Sequence, residues 1–566
     1  MKHCRFAAFP AFFFLLLSCP VKEPPAFPFF ENTKAAAYGL SRDAVTGILV
    51  LKDGKRLDYV FALPLEEPED FSLAVEYYFD PPSLREGAGK IILETDGSSW
   101  ELPQNLSFVN VPGETPIIEY AVPLPPGKYE RFSFRFEAKE KIKGPEAKMY
   151  IRRVYNSTPW FGLMDEGAEE NRRIRITPFV YADGDGLVID PPERFRLKET
   201  PHNLMRFTAG ASKLYDKQDL KLEAGSLRFN IRDGLPLFSM DFPFPPTGAY
   251  PLDIRGEAQI DRALISPARL PQNKKPIPAD PGLVLAWRQN AWRDPAYELF
   301  SWASFPEILI FDIANYDVQD RYLKRLAFFV EKAGFRGRLA GDDEIAELHG
   351  WNAHDYRASS LADFFELARK RNFPLFQEEQ ELMAILLDNG VIRRGSDGSI
   401  KPGGGAIISL TRDKDCPDYL RRLFITHEGF HGIYFIDREF RDFCKRRWDA
   451  FQNPGKRFIL SYFAFQAYDT KDAELMVNEF MAHLLQQGTS FAGKYFGEIL
   501  PNRMINRSPH RRADLPKEEA VSQDGNPCWP EIAEAFTAEA EAFSRYVNER
   551  WGLAAGRVWK ISVEDL

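Results

Sequence analysis

The spacing of apolar residues changes once along this chain, and that change constrains its fold more than any other feature. Over about residues 36–265, apolar side chains alternate with polar ones, as in Phe71, Leu73 and Val75. A period of two is typical of strands with one buried face, and Pro- and Gly-rich turns separate the alternating runs. This part of the chain is therefore predicted to be all-β and sandwich-like.

A different pattern follows the prolines of residues 267–282. Apolar residues recur there every three or four positions, which predicts amphipathic helices. The predicted helices cover residues 318–333, 360–371, 417–436, 472–486 and 530–550. Two short apolar runs, at 308–311 and 406–410, predict buried strands. The second half is therefore predicted to be a mostly helical α+β domain.

The N-terminus has the pattern of an export signal. Its apolar run over residues 6–17 is shorter than the about 20 residues of a membrane-spanning helix. The run ends in Leu16, Leu17, Ser18 and Cys19, which resembles a bacterial lipobox. That resemblance implies cleavage before Cys19, lipidation of Cys19 and a lipid-anchored protein of the bacterial cell envelope that faces the periplasm or the exterior. Ordinary secretion with cleavage nearby is the alternative.

These patterns divide the chain into six segments. A length of 566 residues suits three or four domains, or two large ones, at roughly 100–200 residues per domain. The predicted segments are a signal peptide (1–18), a lipid-anchored tether (19–35), a β-sandwich domain (36–155), a second β-rich domain (156–266), a Pro-rich linker (267–282) and the mostly helical domain (283–566).

The overall charge disfavours one class of partner, although a local basic patch would not alter that total. Lys and Arg number 73 and Asp and Glu number 82, so the net charge is −9. An acidic chain is a poor ligand for nucleic acid, so none is expected as a partner. The 5 cysteines are too few for a scaffold built on disulfides.

The sequence His427-Glu428-Gly429-Phe430-His431 carries the clearest chemistry. Positions four apart share a helix face, so both histidines can direct a ring nitrogen at one metal ion. Glu428 lies about 100° round the helix from His427, where it can hold a water without being a ligand. The alternative is a pair of core histidines with Glu428 in solvent. Two glycines in this helix cost about 1 kcal/mol each relative to Ala, so they need a reason such as the close approach of a strand or a substrate.

This motif and its flanks resemble the zincin metallopeptidases, which implies one zinc ion per chain. Three residues compete as the third protein ligand. Glu479, after Asn478, resembles the Asn-Glu pair on the second helix of the gluzincin group. Glu474 lies on the same predicted helix, about 140° away. Asp437 has the spacing of zincins with a closely following ligand, but those families have Gly where this chain has Tyr434.

The resemblance also implies roles for other residues. Glu428 would be the general base that takes a proton from water and passes it to the leaving amine. Candidates for stabilising the oxyanion, or for supporting the ligands, are Tyr462, Tyr468 and His483. The strand at 407–410 is placed like the zincin edge strand that pairs with an extended peptide.

The predicted function is that of a membrane-anchored zinc peptidase acting on a protein or peptide substrate. The β region would bind envelope material or a glycan, or hold the peptidase away from the membrane. One alternative is a non-catalytic surface lipoprotein, a binding or adhesion module with a structural or vestigial metal site. A second alternative is a metal-dependent hydrolase that acts on a non-peptide bond.

Overall fold

A computed structural model describes most of the chain beyond residue 46. The described residues are 30–31, 39–40, 43–44, 47–80, 89–104, 116–139, 147–166, 172–184, 186–197, 203–210, 219–232, 238–243, 250–256, 260, 262–271, 275–332, 334–348, 352–413, 416–517 and 519–565. The predicted signal peptide and Cys19 lie outside these ranges, as does most of the predicted tether. Among the described residues, no helix has the length and apolar character needed to cross a membrane.

The chain has a large β-rich N-terminal region and a helical C-terminal region, as predicted. It divides into two compact units, one of Met1–Tyr181 with Pro191–Phe195 and one of Ala182–Asp190 with Arg196–Leu566. The strands that lie wholly in the first unit are β1 (Phe30–Glu31), β2 (Gly39–Leu40), β3 (Asp43–Ala44), β4 (Gly47–Val50), β5 (Arg56–Glu67), β6 (Phe71–Asp80), β7 (Gly89–Thr95), β8 (Ser98–Leu102), β9 (Ile117–Leu124), β10 (Gly127–Ala138), β11 (Lys148–Ser157), β12 (Phe161–Glu166) and β13 (Arg173–Ile176).

The first unit is built from two sheets. One has the order β1-β5-β10-β7-β8, and the other includes β12-β13-β9-β6-β11-β4. Phe71 of the second sheet meets Tyr129 of the first edge to face, with ring centroids 5.4 Å apart. The alternating residues Phe71, Leu73 and Val75 lie on a strand, as predicted, but Ser72, Ala74 and Glu76 between them are buried too, so β6 is covered on both faces rather than on one.

The predicted boundary between residues 155 and 156 lies inside this unit. Strand β11 runs through it, and β12 and β13 follow in the same sheet, where β13 pairs in parallel with β9. The residues around 156–160 therefore connect two strands of one sheet, β11 and β12, rather than two domains. A turn between strands and a turn between domains have the same composition, so the sequence pattern could not separate them.

The second unit contains further strands and the helices. Its strands continue the numbering: β14 (Val180–Asp183, which begins in the first unit), β15 (Gly186–Ile189), β16 (Asn203–Gly210), β17 (Leu220–Ala224), β18 (Leu227–Ile231), β19 (Phe238–Pro243), β20 (Leu252–Gly256), β21 (Arg262–Arg269), β22 (Ile277–Ala279), β23 (Tyr297–Trp302), β24 (Phe305–Ile313), β25 (Ala353–Arg357), β26 (Ile392–Arg394), β27 (Ile400–Pro402), β28 (Ala406–Thr411), β29 (Ala520–Val521), β30 (Pro527–Cys528) and β31 (Ile561–Asp565).

The helices of the second unit follow in chain order. They are α1 (Pro281–Ala286), α2 (Tyr316–Val330), α3 (Asp342–Ile345), α4 (Ala358–Lys370), α5 (Gln377–Asp388), α6 (Asp418–Ile436), α7 (Arg438–Ala450), α8 (Gly455–Phe465), α9 (Ala473–Leu485), α10 (Thr489–Lys494), α11 (Leu500–Arg507) and α12 (Pro530–Trp551). A π-helical turn, Tyr495–Ile499, lies between α10 and α11. The predicted helices correspond to α2, α4, α6, α9 and α12.

The predicted second β domain and linker are not separate from the helical part. The last strand, β31, pairs with β18, so the end of the chain completes a sheet of the β-rich segment. Residues 277–279 of the predicted linker form β22, which pairs in parallel with β23. The carboxylate of Asp280 then caps α1 by accepting from the Gly282 amide at 2.9 Å. Prolines here shape a strand and a helix start instead of the predicted linker between domains.

The sheet beside the helices has the order β22-β23-β24-β28-β25. Strand β28 contains the predicted 407–410 strand, but it is internal: it pairs in parallel with β24 and antiparallel with β25. Among the described residues, β25 is the edge on this side. The prediction of 407–410 as the edge strand was therefore wrong. Strand β25 was not predicted, because its sequence Ala-His-Asp-Tyr-Arg contains no apolar run that would mark it as a strand.

Helix α6 lies against this sheet through its two glycines. A Cβ on Gly432 would meet Ile308 of β24 at 3.1 Å, and one on Gly429 would meet Val558 at 3.2 Å and Trp302 at 3.4 Å. A strand residue therefore lies close to each glycine, Ile308 of β24 beside Gly432 and Trp302 of β23 beside Gly429, and Val558 adds a second neighbour at Gly429. These contacts leave little room for a larger side chain at either position.

Candidate metal centre

Helix α6 brings the two histidines of the motif together. The Nε2 atoms of His427 and His431 lie 3.1 Å apart, as the four-residue spacing predicts. His431 is fully buried, and the His427 side chain is 12% exposed. Both rings therefore direct a nitrogen at the same small volume, in surroundings from which water is largely excluded.

Helix α9 adds a carboxylate to this pair. Glu479 Oε2 lies 3.8 Å from His427 Nε2, and Glu479 Oε1 lies 3.8 Å from His431 Nε2. Each residue offers one ligand atom, and these three atoms all lie within 4.8 Å of one another. Asp472 caps the start of α9 by accepting from the amides of Glu474 and Leu475.

The other two candidates for a third ligand lie elsewhere. Glu474 points away from the histidines and forms an ion pair with Arg357 at 2.6 Å. Asp437 follows the end of α6, where it caps α7 through the Phe440 amide at 2.7 Å and pairs with Arg550 at 2.9 Å. Helix α6 continues past Tyr434 to Ile436, so no turn brings Asp437 back towards the histidines.

The three donor atoms fit a zinc ion. Two imidazole nitrogens and one carboxylate oxygen are ligands that zinc accepts in catalytic sites, where a fourth position stays open for water. Glu479 is 5% exposed, and its Oε2 has no hydrogen-bond partner among the described residues. A buried carboxylate oxygen without a partner is costly unless a cation or proton occupies the space beside it.

Burial sets the protonation of these groups. It lowers the pKa of His427 well below the usual value, and His431 lowers it further. Burial also lowers the pKa of His431, to about 4. Both rings are thus neutral at pH 7, which is the form that binds metals. Burial raises the pKa of Glu479 well above its usual value, and the hydrogen bond from Tyr468 opposes that effect.

A second carboxyl pair borders the histidines. Glu428 is 6% exposed, and its pKa is raised well above the usual range, first by burial and then by Asp355. The two side chains are hydrogen-bonded, and Asp355 Oδ2 lies 3.9 Å from His431 Nδ1. Asp355 belongs to the edge strand β25. Sequence reasoning missed it, since its position depends on strand pairing with β28 and leaves no local signal.

The predicted supporting residues lie around Glu479 and His427. Tyr468 hydrogen-bonds Glu479. His483 Nε2 lies 3.9 Å from Glu479 Oε2, and the Tyr462 ring meets the His483 ring edge to face at 6.1 Å. Gln486, which was not predicted, contacts His427 Nδ1 through Oε1 at 3.0 Å.

Two cavities adjoin the centre. One, of about 240 Å³, extends towards Arg336 and Arg357. The other, of about 370 Å³, is lined by His427, Glu428 and His483, among others. Asp355 and Glu479 line both cavities, so a molecule in either one reaches the candidate metal ligands.

Comparison with known proteins adds no family. No family model matches the chain, and no curated protein matches it. Among solved structures, the N-terminal CBM22-1-CBM22-2 tandem domain of Paenibacillus barcinonensis Xyn10C is 10% identical, with 42% of this chain and 91% of that chain covered and a TM-score of 0.13. The crystal structure of Cucumber Necrosis Virus is 12% identical, with 44% and 97% covered and a TM-score of 0.14. The function is therefore inferred from the residues of the site.

Proposed function

We propose that this protein is a zinc-dependent peptidase of the zincin type. His427, His431 and Glu479 would hold one zinc ion, and Glu428 would act as the general base. The observation that supports this most directly is the convergence of the three donor atoms within 4.8 Å, from two different helices, beside Glu428. A structural metal site would not require a buried carboxyl group next to the ligands.

Each residue has a defined task in the proposed reaction. Bound zinc would lower the pKa of water towards 7 and polarise the scissile carbonyl. Glu428 lines the 370 Å³ cavity, where it would take the proton from the attacking water and pass it to the leaving amine. A nearby dication favours the ionised form of Glu428 that this task needs. His483 lines the same cavity, where its ring can donate to the developing oxyanion.

The edge strand supports a peptide as substrate. Strand β25 pairs with β28 on one side, and on the other side the described residues place no further strand. An extended peptide can add to such an edge through backbone hydrogen bonds. Asp355 and Arg357 of this strand line the 240 Å³ cavity, so a peptide paired with β25 would pass the metal ligands.

Metal content tests the proposal. The full chain is expected to bind about one zinc ion, and Glu479→Ala is expected to weaken that binding at least tenfold. Glu474→Ala is the matched control, because this glutamate lies on the same helix but pairs with Arg357. Failure of the wild-type chain to bind zinc, or equal binding by Glu479→Ala and Glu474→Ala, would contradict the proposed centre.

The location is part of the same proposal. Lipidation of Cys19 would hold the peptidase at a membrane of the bacterial cell envelope, within reach of proteins or peptides there. A glycan or another envelope component remains a proposed partner for the β-rich region.

A further inference from the structure

The side-chain amide of Gln486 links three groups around the candidate metal centre. Its Oε1 lies 3.0 Å from His427 Nδ1, and its Nε2 lies 3.2 Å from His483 Nδ1 and 3.1 Å from the Tyr495 hydroxyl. Gln486 follows the last residue of α9 and is 5% exposed. All the polar atoms of its side chain are therefore used within the protein interior.

The two ends of an amide impose opposite roles on their partners. An amide oxygen only accepts hydrogen bonds, so His427 Nδ1 must carry a proton to donate one to Gln486 Oε1. The proton on Nδ1 leaves the lone pair of a neutral ring on Nε2. This is the nitrogen that lies 3.1 Å from His431 Nε2 and 3.8 Å from Glu479 Oε2.

The nitrogen end of the same amide determines the tautomer of His483. An amide nitrogen only donates, so His483 Nδ1 is the acceptor and the neutral ring carries its proton on Nε2. That N–H lies 3.9 Å from Glu479 Oε2, and His483 lines the cavity that contains Glu428.

Tyr495 is the third partner of the amide in the orientation described. It is the first residue of the π-helical turn Tyr495–Ile499, and its hydroxyl takes the second N–H of the Gln486 amide. The reversed amide would present an N–H to His427 Nδ1. It would therefore move the His427 proton to Nε2 and block the nitrogen that faces Glu479.

We infer that Gln486 is a positioning residue that sets the tautomers of two histidines at once. Through Oε1 it keeps His427 Nε2 free to bind a metal ion, and through Nε2 it makes His483 Nε2–H a donor towards the substrate cavity. The inference rests on the proposed zinc peptidase function and adds a residue that the motif does not contain.

Two substitutions separate the two ends of the amide. Gln486→Met has similar length but neither accepts from His427 nor donates to His483. Gln486→Glu still accepts from His427 Nδ1 but has no N–H for His483. Gln487→Met is the matched control, because it makes the same substitution at the next residue. The Nε2 atom of Gln487 is buried and has no hydrogen-bond partner among the described residues.

The measurements are zinc affinity by chelator competition, the visible spectrum of the cobalt(II)-substituted full chain, and kcat and KM on a peptide substrate. Gln486→Met is expected to lose 10–100-fold in zinc affinity, the usual effect of removing a group that orients a ligand. Gln486→Glu is expected to stay within about threefold of wild-type zinc affinity, with an unchanged cobalt spectrum, but to lose at least about tenfold in kcat with little change in KM. A merely structural glutamine would not produce this split between metal affinity and kcat.

Several outcomes would overturn the inference. Equal zinc affinity of Gln486→Met and Gln487→Met would contradict the role at His427, and wild-type kcat for Gln486→Glu would contradict the role at His483. If Gln486→Met does not fold by circular dichroism, the kcat and zinc affinity of Gln486→Glu decide. A wild-type chain without zinc would refute the proposed function, whereas zinc binding that is indifferent to Gln486 would refute this inference alone.

Discussion

The carboxyl group of Glu428 is hydrogen-bonded to Asp355, which lies on strand β25 and not on either helix of the candidate metal centre. The proposed general base is therefore oriented by the strand that the proposed substrate would pair with. One residue of the sheet edge thus connects substrate binding to the position of the base.

Asp355→Ala is expected to lower kcat by about 10–100-fold while the zinc content stays near wild type, because Glu428 loses the group that orients it. Asp355→Asn, which retains a hydrogen-bonding side chain, is expected to lose less. Peptide hydrolysis and metal analysis provide the test. Asp363→Ala is the control, since this exposed carboxylate lines the 240 Å³ cavity without contacting Glu428. Unchanged kcat in a zinc-loaded Asp355→Ala variant would remove Asp355 from the mechanism.

Glu428→Gln is expected to retain zinc and to lose about 10²–10⁴-fold in kcat, the range that general acid–base catalysis supplies. His427→Ala is expected to lose both zinc and hydrolysis, since it removes a ligand atom. Metal content and peptide hydrolysis measured on the same preparations distinguish the two variants. Full activity of Glu428→Gln would show that another group is the base.

Gly432→Leu is expected to lower the free energy of unfolding by about 1–3 kcal/mol, because the new side chain enters the space that Ile308 fills. Ile308→Ala is expected to cost about 2–5 kcal/mol alone, by leaving a cavity. The double variant should be less destabilised than the sum, by at least about 1 kcal/mol, as is found for residues in contact. Denaturant unfolding of the four proteins measures the coupling; additive effects would mean that α6 and β24 do not meet there.

Asp280 is expected to make stability depend on pH. Burial raises the pKa of its carboxyl group to about 6. The unfolded value is about 3.9, so between these pH values the folded state binds more protons than the unfolded state. The contribution of Asp280 to the free energy of unfolding is fully present below about pH 4. It is lost as the pH rises through 6, by about 3 kcal/mol in total. Asp280→Asn should lack this slope in unfolding free energies measured from pH 4 to 7; identical slopes would contradict the assignment.

Cys19→Ser tests the proposed location. The wild-type chain expressed in a bacterial host is expected to incorporate labelled fatty acid and to sediment with membranes. The variant is expected to incorporate none, because it lacks the thiol that would be acylated. Label in the variant, or its absence from the wild type, would favour ordinary secretion.

The parts of the site that were predicted depend on short-range geometry. His427 and His431 are four residues apart on one helix, so their meeting follows from helical spacing alone. Glu479 required a second predicted helix and a family resemblance to be placed near them. Asp355 and Gln486 reach the histidines only through the pairing of β25 with β28 and the packing of α9 against α6. Neither leaves a periodic pattern in the sequence.

The domain boundaries could not be predicted for the same reason, because they depend on contacts between residues far apart in the sequence. Alternation identified strands such as β6 correctly, but it cannot tell which sheet a strand joins. Strand β31 follows a long helical region and nevertheless pairs with β18. Such non-local pairing is why residues 196–266 and the helical part form one unit.

The pairing of β31 with β18 also has a consequence for biosynthesis. The amides of Lys560 and Ile561 bind Asp280, and Val558 lies against Gly429 on the helix that carries both histidines. All three contacts come from residues 558–561, which follow α12 in the sequence. The helix of the candidate metal centre can therefore be covered at Gly429 only after residues 558–561 have been synthesised, so a chain that stops before them would leave this face of α6 and the Asp280 carboxylate without those contacts.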